Sequence, residues 1–136
     1  MSQENVEVVR RWWEAWNADD FGRGMALMDD GLVTRRLPPM PDPGIWHGPE
    51  GLLDVAAEWV ETFDEFAMTG DDFVDAGERV VAVLRVYARG RQSGVEVERL
   101  DGAVYTMRDG KCVRLDYYGS KEQALEAVGL RETDRR

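Results

Sequence analysis

Side chains that could do acid–base or binding chemistry are sparse in this sequence. His47 is the only histidine, and it stands in the stretch GIWHGPEG (44–51), directly before a predicted helix. Asp101 and Asp116 lie among arginines and tyrosines in segments with strand-like alternation. Imidazoles and carboxylates act as general acids and bases, and arginines bind carboxylates, phosphates and developing oxyanions. These groups indicate proton-transfer or anion-binding chemistry on a small molecule.

Metal ions and nucleotide cofactors are not predicted. One histidine and Cys112, the only cysteine, are too few for a nitrogen- or sulfur-rich zinc or iron site. No glycine-rich phosphate loop follows a strand. We expect a cofactor-free domain in which Cys112, with no histidine near it in sequence, is a small packing residue or a partly exposed edge residue.

Length and charge narrow the class of protein. The 136 residues fit one domain, 1–136, with an ordered core of about 3–130. A net charge of −10 repels nucleic acid and anionic membrane surfaces. No window approaches ~18 consecutive apolar residues, and the first residues lack a basic segment followed by an apolar run. We therefore expect a cytoplasmic protein that binds neither nucleic acid nor membranes.

Hydrophobic spacing predicts the elements that position these side chains. A helix over 3–18, a short helix after Asp20, the strand GLVTRRL and a helix from Pro49 come first. From residue 66 the period changes to two, and a short helix capped by Ser120 ends the pattern. The predicted late strands are near 66–75, 79–90, 94–108 and 111–118. This order predicts an α+β fold, in which a curved antiparallel sheet wraps around helices and leaves a cone-shaped cavity.

Four segments, which together cover most of residues 5–130, share their order and motifs with a known family. They are NVEVVRRWWEAWNADD, GIWHGPEGL, DAGERVVAVLRVYARGRQSGVEVE and VYTMRDGKCVRLDYYGSKEQALEAVGL. The chain thereby resembles the SnoaL-like, polyketide cyclase-like group of the nuclear transport factor 2-like superfamily. The resemblance implies a cone-shaped α+β barrel. It does not choose an activity, because the superfamily includes isomerases, dehydratases, epoxide hydrolases, cyclases and non-catalytic binders.

The resemblance argues against ketosteroid isomerase chemistry. In those relatives a tyrosine and a protonated aspartic acid form the oxyanion hole, and a second aspartate is the base. The corresponding positions here are Trp12, Ala103 and Arg35. An alanine donates no hydrogen bond from its side chain, and an always-charged arginine is not a base near neutral pH.

The acid–arginine–acid set of the limonene epoxide hydrolases is also incomplete in this sequence. The stretch LRVYA keeps the arginine as Arg85 but has Tyr87 in place of the acid. The last-strand acid, which the SnoaL-like cyclases share, corresponds to Tyr117, one step from Asp116. Because adjacent side chains of a strand point to opposite faces, Asp116 faces outward if Tyr117 faces the cavity. A bulge in this strand would bring Asp116 back as a candidate acid.

If the aligned face of each strand points inward, the cavity is aromatic, with several arginines and one carboxylate. Asp101 is then the best-placed base, Arg85 and Arg35 orient the ligand, and Tyr105 or Tyr117 donates hydrogen bonds. The predicted catalytic residues are Asp101, Tyr117, Arg85 and Asp116. The predicted substrate-binding residues are Trp12, Trp16, Arg35, Trp46, His47, Tyr87, Arg99, Tyr105 and Leu115.

An alternative interpretation of these residues is structural. Arg85 or Arg99 would pair with Asp101 or Glu98 across neighbouring strands. A buried carboxylate paired with arginine has a lowered pKa, which makes it a poorer base at neutral pH. The tryptophans at helical spacing would then be core residues.

The resemblance also bears on His47. At this place the related family has an aromatic residue, a basic residue and a glycine, so Trp46 fills the aromatic position and His47 the basic one. Because different basic residues serve there, the resemblance argues against proton transfer by His47. A positive imidazolium is also disfavoured at a helix N-terminus. We predict His47 at the cavity mouth at best, with Trp46 the better ligand contact.

Two functions remain open at this point. The first is a cofactor-free isomerase, cyclase, dehydratase or hydrolase that acts on a hydrophobic, acidic or enolisable metabolite. The second is a non-catalytic domain of the same fold that binds a ligand or a partner. In either case we expect a homodimer, because the outer sheet face would carry the apolar and aromatic side chains of Leu100, Val104 and Tyr118, with Thr106.

Overall fold

The structure, a computed structural model, describes residues 2–38, 40 and 42–131, which contain four α-helices and six β-strands. The helices are α1 (Ser2–Asn17), α2 (Phe21–Met25), α3 (Gly48–Thr62) and α4 (Lys121–Ala127). The strands are β1 (Met28–Arg36), β2 (Gly44–His47), β3 (Phe63–Ala76), β4 (Arg79–Gly90), β5 (Glu96–Arg108) and β6 (Lys111–Tyr118). The α+β class expected from the sequence is confirmed. None of the described helices is long and apolar enough to cross a membrane.

All six strands belong to one curved sheet that does not close, with the order β2-β1-β6-β5-β4-β3. Strands β1 and β6 run parallel, with Arg35 opposite Asp116, whereas the other described pairs are antiparallel. The late strands β3 to β6 are antiparallel as expected, whereas the parallel pair was not predicted, because local alternation does not show which distant strands meet. Strand β2 was not predicted. Its four residues are too few for a readable alternation, and pairing with β1 holds them.

Turns and helix ends follow the local signals of the sequence. Asp109 and Gly110 turn the β5–β6 hairpin with positive φ angles of 53° and 79°. Ser120 caps α4, since its hydroxyl oxygen accepts a hydrogen bond of 3.2 Å from the backbone N–H of Gln123. Gly129, with a φ of 80°, follows the end of that helix.

Helix α1 packs its apolar stripe against β3 and β4. Val9, Trp12 and Trp13 of this stripe are buried in the main core. Gly70 on β3 gives Trp13 its space, because a Cβ atom at residue 70 would lie 2.6 Å from the indole Cδ1. The helix therefore sits on the strand at close range.

Both faces of the first half of β4, residues 80–84, are covered. On the inner face, which looks toward α1 and α3, Val80 and Leu84 belong to the main core. On the outer face Val81 packs with Val104 and with Leu125 of α4. A residue of this sheet therefore cannot be assigned to the cavity side from its hydrophobicity alone.

Candidate functional site

A cavity of about 150 Å³ opens between α3 and the inner face of the sheet. Its charged lining residues are Arg36, Asp42, Glu58, Arg99 and Asp101. Its apolar lining residues are Met40, Trp59, Phe63, Phe66, Met68, Val86, Ala88 and Val97. The volume is below the ~300–1,000 Å³ typical of sites for drug-sized ligands. A small cavity with aromatic walls and a few charged groups suits a small ligand.

Asp101 and Arg99 face this cavity from β5, as the sequence predicted. The Asp101 side chain is 2% exposed, whereas the Arg99 side chain is 44% exposed. Arg99 donates two hydrogen bonds, from Nε to Oδ1 at 2.7 Å and from Nη2 to Oδ2 at 3.0 Å. The arginine pairing considered in the structural interpretation is therefore present, but it joins neighbours of one strand.

The pKa of Asp101 nevertheless lies above its ordinary value. Burial of the carboxylate raises the pKa, and the hydrogen bond and charge of Arg99 offset only part of that rise. Water screens the half-exposed guanidinium, while the carboxylate itself is almost completely desolvated. The expectation that pairing with an arginine would lower this pKa is wrong, because it counted the arginine and not the burial.

Arg36 is a site residue that the sequence analysis missed. Only 5% of its side chain is exposed, and its guanidinium carbon lies 4.9 Å from the centre of the Trp46 ring and 6.0 Å from that of Trp59. It donates from Nε to the backbone oxygen of Asp42 at 2.6 Å and from Nη2 to Oε1 of Glu58 at 3.1 Å. Alternation along TRRL (34–37) allows either Arg35 or Arg36 to face inward. The resemblance favoured Arg35.

Aromatic rings form a continuous wall on the α3 side of the cavity. Trp59 stacks on Phe66 with ring centres 5.7 Å apart, and Phe63 stacks on Phe66 at 5.8 Å. Tyr117 meets Trp59 edge to face at 5.0 Å, behind the cavity lining. Burial raises the pKa of Tyr117, so its phenol stays protonated near neutral pH. Tyr117 supports the wall and does not line the cavity.

Four predicted binding residues fill the interior beside α1 instead of lining the cavity. Trp12, Tyr105 and Leu115 are buried in the main core, and Trp16 packs against it. Burial raises the pKa of Tyr105 well above its ordinary value, and the indoles of Trp13 and Trp12 offset part of the rise. The structure does not bring these four side chains to the cavity, because they pack into the main core.

Arg85 and Tyr87 point away from the cavity. Arg85 is 64% exposed and donates to Oδ2 of Asp71 at 3.0 Å, and the Tyr87 hydroxyl donates to Oε1 of Glu96 at 2.8 Å. The prediction that Arg85 and Tyr87 face inward is wrong, because the next residue along β4 faces the cavity in each case. The inner face of this part of β4 carries Val86, which lines the cavity.

Arg35 and Asp116 also lie on the outer face. Arg35 Nε donates to Oδ1 of Asp116 at 2.6 Å, and Arg114 Nε lies 3.2 Å from Oδ2. The conditional expectation for β6 is met, since Tyr117 faces inward and Asp116 outward. The placement of Arg35 in the cavity is wrong, because the inner face of β1 at this point belongs to Arg36.

The remaining chemical candidates lie outside the cavity. His47 precedes α3 and is exposed, and its side chain makes no capping hydrogen bond. Trp46, beside it, contacts the guanidinium of Arg36 and so borders the site from behind. Cys112 is a buried packing residue whose thiol donates to the Arg114 carbonyl oxygen at 3.2 Å, and burial raises its pKa to about 12. In the part of the chain that the structure describes, no cluster of His, Cys, Asp or Glu could hold a metal ion.

The chain was compared with known protein families, curated proteins and solved structures. The sequence model of the SnoaL-like domain matches residues 9–115, and no curated protein matches the chain. An NTF2-like protein from Burkholderia thailandensis has 20% identity over 90% of this chain and 95% of its own, with a TM-score of 0.77.

Two further solved structures share the fold. A putative SnoaL-like polyketide cyclase from Jannaschia sp. CCS1 has 20% identity over 93% of this chain and 92% of its own, with a TM-score of 0.71. TerC, co-crystallised with polyporic acid, has 18% identity over 92% of this chain and 98% of its own, with a TM-score of 0.73. At these identities the likeness concerns the fold alone.

Proposed function

Because this chain belongs to the SnoaL-like family, whose fold commonly binds small molecules and serves cyclases and isomerases, we propose that its cavity binds a small enolisable or weakly acidic molecule, with which Asp101 exchanges a proton. The observation that carries this proposal is a buried carboxylate with a raised pKa in an aromatic cavity. A carboxylic acid works best as a general acid or base when its pKa lies near the working pH.

The size of the cavity favours a ligand with about one six-membered ring. An apolar protein cavity of about 150 Å³ is large enough to hold benzene. The cavity here has a volume of about 150 Å³, and Trp59 and Phe66 line it. Aromatic side chains stack favourably on flat rings. A planar, single-ring molecule therefore matches both the volume and the walls.

Two arginines suit the charge that such a reaction develops. Arg36 and Arg99 line the same cavity as Asp101. When a carboxylate takes a proton from a carbon next to a carbonyl group, the electron pair of the C–H bond forms a carbon–carbon double bond, and the π electron pair of the carbonyl group moves to its oxygen. Guanidinium groups in a poorly solvated site stabilise the enolate oxygen that forms. Return of the proton to the same carbon gives exchange, and where a second double bond is conjugated to the enolate, return to the far end of that bond completes a double-bond isomerisation.

Non-catalytic binding in the same cavity is the second candidate function. The observation in its favour is the pair of hydrogen bonds from Arg99, which engages both carboxylate oxygens of Asp101. A carboxylate held in this way can serve as a fixed part of the wall. Ligand binding without proton exchange would then be the whole activity.

Cyclohexane-1,3-dione, a single-ring enolic acid, tests the binding step through the change in tryptophan fluorescence, to which Trp59 in the cavity wall contributes. We expect saturable binding, and Asp101→Asn should weaken the affinity by about tenfold, because the carboxyl group that exchanges a proton with the ligand is lost. Asp71→Asn is the matched control, since Asp71 also pairs with an arginine but lies outside the cavity. Absence of saturation, or equal effects of the two substitutions, would contradict the proposal.

We further propose that the chain forms a homodimer through its outer sheet face. Leu100 is 42% exposed there, whereas Val104 is covered by α4 and Tyr118 packs beside it. The dimer contact would therefore centre on Leu100. Leu100→Glu should turn a dimer into a monomer in light scattering, and Val60→Glu, at a 57% exposed residue of α3, should not. A monomeric native protein at micromolar concentration would contradict this.

A further inference from the structure

Three arginines from different strands converge on the outer face of the sheet, opposite the cavity. Arg35 of β1, Arg79 of β4 and Arg114 of β6 line an open groove of about 370 Å³, together with Asp116 and Tyr118. This groove shares no lining residue with the cavity. The proposed proton transfer makes no use of it.

Asp116 fixes two of these arginines in place. Its side chain is 8% exposed, and it receives hydrogen bonds from Nε of Arg35 at 2.6 Å and from Nε of Arg114 at 3.4 Å. Both contacts use the inner nitrogen of the guanidinium group. Within the described residues, neither arginine makes a hydrogen bond through its terminal amino groups. The buried carboxylate thus orients two arginines and leaves their outer donors for another acceptor.

Arg79 completes the set from the other side of the groove. Its Nη1 donates to the backbone oxygen of Ala127, at the end of α4, at 3.1 Å. Among the described residues this is the one hydrogen bond of the Arg79 guanidinium, and it again uses a single nitrogen. Each of the three guanidinium groups thus has one hydrogen-bond partner that holds it at the groove, which lowers the entropy cost of binding a ligand.

The charge of the groove is opposite to that of the whole protein. Its lining holds three guanidinium groups and one carboxylate, in a chain whose net charge is −10. Tyr118 lies among these charges. Burial and Asp116 raise its pKa, and Arg35, Arg114 and Arg79 each offset part of the rise. The groove therefore carries a local excess of two positive charges around a phenol hydroxyl.

We propose that this groove binds a phosphate group, with Arg35, Arg79 and Arg114 donating hydrogen bonds to its oxygens. A phosphate dianion matches the two uncompensated positive charges, whereas a single carboxylate matches one. Its oxygens point in several directions, which suits donors that arrive from three strands. Arginine–phosphate hydrogen bonds are charge-assisted and are stronger than neutral ones.

Inorganic phosphate at low ionic strength is the first probe, with binding measured by calorimetry on the native chain. Arg79→Gln should weaken phosphate binding by at least about tenfold, because it removes one charge-assisted donor. Arg85→Gln is the matched control, since Arg85 lies on the same outer face but pairs with Asp71 outside the groove. Its phosphate affinity should stay within about twofold of the native value. Acetate should bind at least about tenfold more weakly than phosphate.

The Nε–Hε resonances of Arg35 and Arg114 give a second readout on the native protein, which needs no variant to fold. Phosphate should shift both, and the monoester phenyl phosphate should shift the same two. If inorganic phosphate binds more tightly than phenyl phosphate, the groove recognises free phosphate. If phenyl phosphate binds more tightly, it recognises a phosphate ester.

Three results would overturn the proposal. Equal losses in Arg79→Gln and Arg85→Gln would mean general charge attraction, and acetate binding as tight as phosphate would exclude phosphate recognition. Phosphate binding without shifts at Arg35 and Arg114 would place the anion outside the groove.

Discussion

Arg99 donates two hydrogen bonds to Asp101, at 2.7 and 3.0 Å, yet the pKa of that carboxyl is raised. Two effects compete in this pair. The guanidinium favours the charged carboxylate, and removal of water from the carboxylate favours the protonated acid. Burial has the larger effect, because the Asp101 side chain is 2% exposed and that of Arg99 is 44% exposed. The pair therefore holds an acid that is oriented without being locked into its ionised form.

Removal of the arginine should raise the pKa of Asp101 further. Arg99→Gln takes away the hydrogen bond and the charge that now offset burial. A carbon-13 NMR titration of the Asp101 carboxyl group measures the change. Arg85→Gln, on the opposite face of the sheet, is the control and should leave the titration where it is. A lower pKa in Arg99→Gln would show that the arginine does not act on this carboxyl as described.

The stability of the fold should depend on pH through the same group. A carboxyl whose folded-state pKa is raised binds its proton more tightly in the folded state. Its contribution to stability is therefore full below the ordinary value of 3.8 and is lost as the pH rises through the folded pKa. Asp101→Asn removes this dependence. The free energy of unfolding of Asp101→Asn, relative to the native chain, should rise with pH from about pH 4 upward. A difference that is flat or falls with pH would contradict the assignment.

Arg36 should contribute to stability through its contacts with two rings, a carbonyl group and a carboxylate. Arg36→Met should lower the free energy of unfolding by about 2–3 kcal/mol, since it loses cation–π contacts and charged hydrogen bonds. The loss stays moderate because Glu58, the partner left behind, is 48% exposed and can be hydrated. Urea unfolding measures the change. Arg91→Gln, which removes exposed bonds to the end of α3, should stay within about 0.5 kcal/mol. Equal effects of the two changes would contradict the buried placement of Arg36.

The close approach of α1 to β3 can be tested at two glycines. Gly70→Ala places a methyl group 2.6 Å from the indole of Trp13 and should cost about 1–3 kcal/mol. Gly22→Ala meets no atom within 4 Å and lies in helix α2. It should be neutral or stabilise the protein by up to about 1 kcal/mol. Thermal unfolding compares the two, and a harmless Gly70→Ala would mean that Trp13 lies elsewhere.

Local sequence signals predicted much of this fold but not the facing of every strand. The Asp109-Gly110 turn, the Ser120 cap and the helical stripe of α1 depend on near neighbours, and each was predictable. Alternation on β4 was not readable, because Val80 and Val81 are both buried, one under α1 and one beside α4. Whether Arg85 or Val86 faces the cavity near the end of β4 therefore depends on contacts between residues that are distant in sequence.

Only part of the candidate site could be predicted from the sequence, because the facing of some strands depends on distant contacts. Asp101 and Arg99 were placed correctly, because they stand two and four residues before Ala103, which the resemblance assigns to the site face of β5. Arg35 and Arg36 are adjacent and identical, so no contrast between them identifies the cavity side. The parallel pairing of β1 with β6 brings Arg35 onto Asp116, and no local pattern in either strand shows that contact.

Hydrogen–deuterium exchange at the carbon next to the carbonyl of cyclohexanone, followed by proton NMR in heavy water, tests the central claim most directly. Cyclohexanone has one ring and an enolisable position, and the cavity volume is about 150 Å³. We predict that the native chain accelerates exchange above the buffer rate and that Asp101→Asn reduces this catalysis by about 10²-fold. Asp71→Asn should retain the native rate. An exchange rate equal to that of buffer, or equal in the native chain and Asp101→Asn, would contradict proton transfer by Asp101.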